Sequence, residues 1–311
     1  MSNHTYFDWG HFFNFLRFLG LAPYEKTKMG DYNVSKIFQF YSLMIALLVS
    51  IYFYFGYEMI KGYVDGENLL SITFILLDIL GFTFASIFCI LATVYKSAQL
   101  SFLVNKIIKT NKNVNKLFTF EIKNRHCLGI TIYSVTQNLL FTGYFVMYVI
   151  SVKSSNLVYY LKCLLSFLTG LIFVASDINF VIFLNNSFII FNKINYIIYS
   201  KKNLRMKNLK KTYLKACDIV DLINKCFSEM LLVLVVIEVS GLVFIVYFNN
   251  KHDSKGFSFA PIFWFLTYIL KLLVKVVNGR SVKIEVKYKK EIWSFNEKFN
   301  NKILEVLFEF I

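Results

Sequence analysis

Six long apolar stretches run through this chain, and its basic residues gather on one side of them. The stretches are Ile37–Ile60, Leu69–Tyr95, Leu128–Val152, Leu157–Phe191, Glu229–Phe248 and Ser258–Val277. Each is at least as long as the roughly 20 residues an α-helix needs to cross a hydrocarbon layer about 30 Å thick. The runs are continuous and do not alternate with period two, which argues for helices over a transmembrane barrel. With 57% hydrophobic residues and a mean hydropathy of +0.54, too few polar residues remain to coat a soluble domain of this size. The expected fold is all-α: a polytopic helical membrane protein with six transmembrane helices and long cytoplasmic helical extensions. It forms a single domain over residues 1–311, with a cytoplasmic amino-terminal segment 1–36 and a tail 278–311.

The net charge of +15 raises the question of a nucleic-acid partner, and the distribution of the charge answers it. Four basic residues (Arg17, Lys26, Lys28, Lys36) precede the first stretch. Seven lie between the second and third, nine between the fourth and fifth, and seven after the sixth. The other three connections hold only Lys61, Lys153, Lys251 and Lys255. This asymmetry follows the positive-inside rule, so both termini are expected in the cytoplasm. The basic excess is then expected to set topology and to touch anionic lipid headgroups, with no nucleic acid involved. Cys89, Cys127, Cys163, Cys217 and Cys226 show no CxxC spacing, and none falls in an expected outer loop, so no disulfide framework is expected. The first 30 residues lack the apolar core and small-residue cleavage site of a signal peptide, and the first span is expected to direct insertion.

The outer connections are short and the inner ones long, about 32 and 37 residues by these spans. The inner segments keep helical apolar faces. One carries Leu100, Leu103, Val104, Ile107 and Ile108, and the other Ile197, Ile198, Leu214, Ile219 and Ile223. At about 1.5 Å per residue the fourth stretch exceeds the bilayer, which predicts helices running straight into the cytoplasm and packing there. Pro23 and Pro261 both lie outside span interiors. No internal repeat is visible, which weighs against a two-halves transporter.

Enzyme motifs are missing: no phosphate-cradling glycine loop, no GxSxG and no HExxH. His4, His11, His126 and His252 all lie outside the spans, so neither an enzyme nor a cofactor or metal site is expected. Ionisable groups within hydrocarbon are costly and point to function. Asp78 falls near the middle of span 2 and Asp177 in the inner half of span 4. Glu238 and Lys271 fall at similar depth in spans 5 and 6, and the expectation is that they pair or share a water. Trp264, Tyr268, Lys271 and Lys275 form one helical stripe that turns polar atoms inward. An aromatic, weakly polar ligand cavity in the outer half is expected from Ser71, Thr73, Asp78, Tyr144, Tyr148, Tyr159, Trp264 and Tyr268. Gln137 and Asn138 are expected to make interhelical hydrogen bonds.

This layout resembles the insect gustatory receptor family, within the insect chemoreceptor superfamily. Phe15-Leu16-Arg17-Phe18-Leu19-Gly20-Leu21-Ala22-Pro23 looks like the family's amino-terminal segment. Asp221-Leu222-Ile223-Asn224-Lys225-Cys226-Phe227 and Val246-Tyr247-Phe248 resemble the lead-in and close of its fifth helix. Span 6 with Trp264 and the tail Glu291–Phe310 resemble its sixth helix and the amphipathic segment that follows. The resemblance implies a plasma-membrane receptor for small organic tastants. It implies a ligand-gated cation channel formed as a homo- or hetero-tetramer with other receptor subunits. An odorant receptor of the same superfamily is the alternative, and a small-molecule transporter a further one. A G-protein-coupled receptor would normally place its amino terminus outside.

The chain departs from the family at its signature, a Thr-Tyr followed after five apolar residues by Gln-Phe in a seventh, pore-lining helix. Here Thr267-Tyr268 is followed at that spacing by Val274-Lys275. The expectation is a truncated gene model, an alternative transcript or a subunit without its own conduction.

The topology carries a direct check. Asn3, Asn33 and Asn185 begin glycosylation sequons on segments expected at the cytoplasmic side, so none should carry glycan. Protein from a eukaryotic host should not change gel mobility on glycosidase treatment. A shift abolished by Asn3→Gln or Asn33→Gln would place the amino terminus outside.

Overall fold

The computed structural model describes residues 9–61, 69–116, 157–199, 206–251 and 265–276, together with the helical positions 133, 136, 137, 139, 142, 143 and 146. The chain opens with α1 (Trp9–Phe18), whose carboxyl end is closed by Gly20 at φ +75°. There the Gly20 N–H donates to Arg17 O at 2.9 Å and the Leu21 N–H to Leu16 O at 2.8 Å. This is the paired 5→2 and 6→1 bonding that stops a helix at a left-handed glycine. A β-carbon on Gly20 would also stand 3.3 Å from the Ser42 backbone, so the small residue lets the turn lie close on the next long helix.

An antiparallel ribbon follows, β1 (Tyr24–Lys26) and β2 (Tyr32–Val34), with Tyr24 opposite Val34 and Lys26 opposite Tyr32. The ribbon is a small addition to a fold that is otherwise helical among the described residues, as expected. Phe13, Tyr24 and Tyr32 meet edge to face at 5.2, 5.1 and 6.1 Å between ring centroids. The Arg17 Nε donates to Tyr24 O at 2.8 Å, and its guanidinium lies 5.2 Å from the centre of the Phe38 ring. Burial holds the Tyr24 phenol well above its ordinary pKa, so it stays neutral within this packing.

The long helices are α2 (Lys36–Lys61), α3 (Leu69–Tyr95), α4 (Ser97–Lys116), α5 (Leu157–Tyr199), α6 (Met206–Lys251) and α7 (265–276). α5 has 43 residues and α6 has 46, which is about 65 and 69 Å of helix. α6 runs unbroken from a lysine-rich amino-terminal half into an apolar carboxyl half, and α5 is apolar along most of its length. Between α3 and α4 the chain instead turns by 72°. Among the described residues two helices are long and apolar enough to cross a membrane, Leu164–Tyr196 and Leu209–Val243. The described apolar part of α2 is shorter, at Lys36–Ile51. The described positions of the third apolar stretch are all helical.

α5 is the axis of the bundle, most of its apolar length being enclosed by neighbours. α2 packs along α3, α3 and α5 pack on α6, and α4 lies against α6 and β2. Leu100, Leu103, Val104 and Ile107 of α4 are fully buried, as are Ile219 and Ile223 of α6. Leu214, expected on the same face of α6, is 53% exposed. Polar ties reinforce this layer. Asn105 of α4 accepts from the Tyr32 N–H at 2.7 Å and donates to the Tyr32 carbonyl at 2.8 Å. Lys96, at the bend, reaches Lys225 O at 3.0 Å and Glu229 at 2.9 Å on α6, and Gln39 of α2 donates to Ser97 at 2.9 Å.

Truncating Phe13 removes the ring at the centre of the aromatic trio. Phe13→Ala should lower stability by about 3–5 kcal/mol, read as a fall in the melting temperature of the detergent-solubilised protein. An unchanged melting curve would show that α1 and the ribbon are not coupled to the bundle.

Candidate functional site

The interior of the bundle holds four charged side chains in mutual contact. Asp177 comes from α5, Glu238 from α6, and Lys271 and Lys275 from α7. The first three are 0% exposed and Lys275 is 9% exposed. Lys271 and Lys275 are four residues apart, so one face of α7 delivers both cations to the seam between α5 and α6. The Lys275 Nζ lies 2.6 Å from Asp177 Oδ1, and it donates to Glu238 Oε1 and Oε2 at 2.7 and 2.8 Å. The Lys271 Nζ lies 2.8 Å from Asp177 Oδ2 and 3.9 Å from Glu238 Oε1. Two anions against two cations leave the cluster without net charge. That balance is what makes its burial tolerable, because an isolated charge in such surroundings carries a desolvation cost of many kcal/mol.

Aromatic groups complete the enclosure. The Lys271 Nζ sits 3.8 Å from the centre of the Phe173 ring, a cation–π contact. One turn along α7, Tyr268 packs against the bare backbone of Gly241, where a β-carbon would stand 2.6 Å from the phenol. Its ring stacks on Phe82 at 6.0 Å, and Phe82 meets Phe173 edge-on at 4.7 Å. The Tyr133 hydroxyl lies within electrostatic reach of Asp177 and Glu238. One turn further on that helix Gln137 is fully buried. Neither atom of its amide has a hydrogen-bond partner among the described residues, in contrast to the interhelical bond expected for it. A small crevice between α3, α5 and α6 is walled by Leu21, Thr93, Ser176, Asn179, Phe227 and Met230. The buried Asn179 carboxamide oxygen likewise has no partner among the described residues.

Sequence reasoning singled out all four charged residues but joined only Glu238 and Lys271. The structure sets those two 3.9 Å apart, with Lys275 the nearer cation to Glu238 and Asp177 the nearer anion to Lys271. Of the residues expected around an outer cavity, Tyr268 is described, and it is buried inside the bundle. The side chains of Ser71, Thr73, Asp78 and Tyr159 lie outside the described residues, as do Tyr144, Tyr148, Trp264 and Asn138. Gly241 was missed, although a glycine facing an aromatic on the neighbouring span is the signal that points to such a seat. No protein-family model matches the chain, and no curated protein matches it.

Removing one anion from the cluster leaves two buried lysines sharing the other. Asp177→Asn should destabilise the protein by about 3–5 kcal/mol. Restoring the balance with Asp177→Asn together with Lys271→Met should recover a large part of that loss. Unfolding in graded detergent denaturant measures both. Strictly additive effects would show that the four groups do not act as one unit.

Proposed function

We infer that this chain is a gustatory-type chemosensory receptor of the plasma membrane, a subunit of a ligand-gated cation channel that detects small organic molecules. In this reading all six apolar stretches span the bilayer, with both termini in the cytoplasm. The observation that carries it is the layout of the long helices. α6 continues without a break from an apolar carboxyl half into a lysine-rich amino-terminal half, where α4 packs beside it, and α5 runs unbroken for 43 residues, more than a bilayer needs. Long helices that leave the membrane to form an inner bundle are the feature the sequence shares with the chemoreceptor superfamily. Ligand binding in the outer half would act on the inner bundle through these continuous helices, with no second-messenger protein required. An odorant receptor of the same superfamily differs from this reading in ligand class alone.

A second reading, a small-molecule transporter, draws support from one observation. Buried carboxylates and lysines at depth in a helical bundle are what ion and proton pathways use.

The deciding experiment expresses the full chain in oocytes, alone and with candidate partner subunits, and applies a panel of bitter, sweet and volatile compounds. A ligand-evoked cation current that persists when G-protein signalling is blocked is the expected outcome. Current only with a partner subunit indicates a non-conducting member of the same assembly. Saturable uptake of a labelled compound with no gated current would overturn the receptor reading in favour of transport.

A further inference from the structure

The cationic half of the buried cluster is built in duplicate. Lys271 and Lys275 stand one turn apart on the same face of α7, and each approaches both carboxylates. Lys275 reaches Asp177 at 2.6 Å and Glu238 at 2.7 Å, and Lys271 reaches them at 2.8 and 3.9 Å. Either side chain has the reach to bridge α5 to α6. A screw motion of α7 by four residues, about 6 Å along its axis with a turn of about 40°, carries Lys271 into the seat that Lys275 now holds. The bridge between the two carboxylates is then kept. Lys275 moves about one turn beyond its present seat, its ammonium carried on a long flexible stem.

What selects the observed position lies one turn away. Tyr268 is held in the notch at Gly241, a site too tight for even a β-carbon at 2.6 Å, and it stacks on Phe82 at 6.0 Å. Phe82 leans on Phe173 at 4.7 Å, and Phe173 in turn carries the Lys271 ammonium at 3.8 Å. Close-packed contacts of this kind have discrete arrangements, so a helix leaving one seat moves to the next and does not drift.

We propose that α7 has two registers one turn apart, with Lys275 bridging Asp177 and Glu238 in one and Lys271 bridging them in the other. The seating of Tyr268 on Gly241 selects the first. Any ligand, lipid or partner contact that lifts Tyr268 from its notch releases the second. The device stands on the geometry of the cluster alone and does not depend on the receptor reading.

The test uses full-length protein in lipid nanodiscs. Nitroxides are carried on p-acetylphenylalanine at two exposed positions, in place of Leu232 on α6 and Val276 on α7. Pulsed dipolar spectroscopy reads the distance between them. The otherwise unchanged protein should give one dominant distance. Gly241→Ala, whose methyl cannot share space with the Tyr268 ring, should shift it by up to about 6 Å. Lys275→Met should shift it in the same direction, because Lys271 is then the sole bridge. Adding Lys271→Met to Gly241→Ala should abolish the shifted distance. The proposal fails if Gly241→Ala and Lys275→Met both leave the distance in place, or if the shifted distance survives the loss of Lys271. Should Gly241→Ala not yield monodisperse helical protein, Lys275→Met, which adds no bulk at the notch, decides the question by itself.

Discussion

Charge balance in the interior is the constraint on which this bundle depends. A carboxylate on α5, another on α6 and two ammonium groups on α7 are each unaffordable alone at this depth, and together they cancel. Their pairing demands a short range of distances, so it fixes the rotation of three helices at once. Apolar packing would tolerate rotation by a few tens of degrees, since Leu, Ile and Val are interchangeable on a greasy surface. Ion pairs of 2.6 to 2.8 Å do not tolerate it. The cluster therefore supplies orientational specificity where the surrounding side chains supply bulk.

A second layer is organised by different means. Around α4 and the ribbon several ties are hydrogen bonds from side chains to backbone: Asn105 to both polar groups of Tyr32, Lys96 to the Lys225 carbonyl, Arg17 to the Tyr24 carbonyl. The bonds to Tyr24 and Tyr32 satisfy main-chain groups of the ribbon, and the one from Lys96 lands on a carbonyl in the interior of α6. Lysines that sequence analysis counts only as topology signals also take specific partners here. Lys106 pairs with Asp218 at 3.0 Å, and Lys193 donates to Asn115 at 2.9 Å.

The helical character of the chain was legible because long apolar runs admit few other structures. The buried charges were legible too, because an ionisable residue in such a run stands out. Their pairing was harder to read. Depth along a helix resolves position to about one turn, and Lys271 and Lys275 differ by one turn, so the choice between them rests on side-chain reach and helix lean. The ribbon at Tyr24–Lys26 and Tyr32–Val34 was not legible because three residues are too few to display a period of two. The bend at Lys96 was hidden for another reason. No proline or glycine marks Tyr95-Lys96-Ser97, and the anchors of the bend lie at Gln39, Lys225 and Glu229, far away in sequence. Leu214 shows the limit of periodicity itself. A leucine in phase with a buried face stays exposed where none of the described helices covers it.

α6 is clamped at Glu238 well off its centre, and this has a mechanical consequence. From that point about 20 Å of helix extends to Lys251 and about 48 Å to Met206. A rigid tilt about the clamp therefore works as an unequal lever, and a displacement at the short end arrives more than doubled at the long one. α5, held at Asp177 near its midpoint, has nearly equal arms and no such gain. Two rods fastened at one place thus respond to the same disturbance with different amplitudes, and the difference between them accumulates where α4 lies against α6.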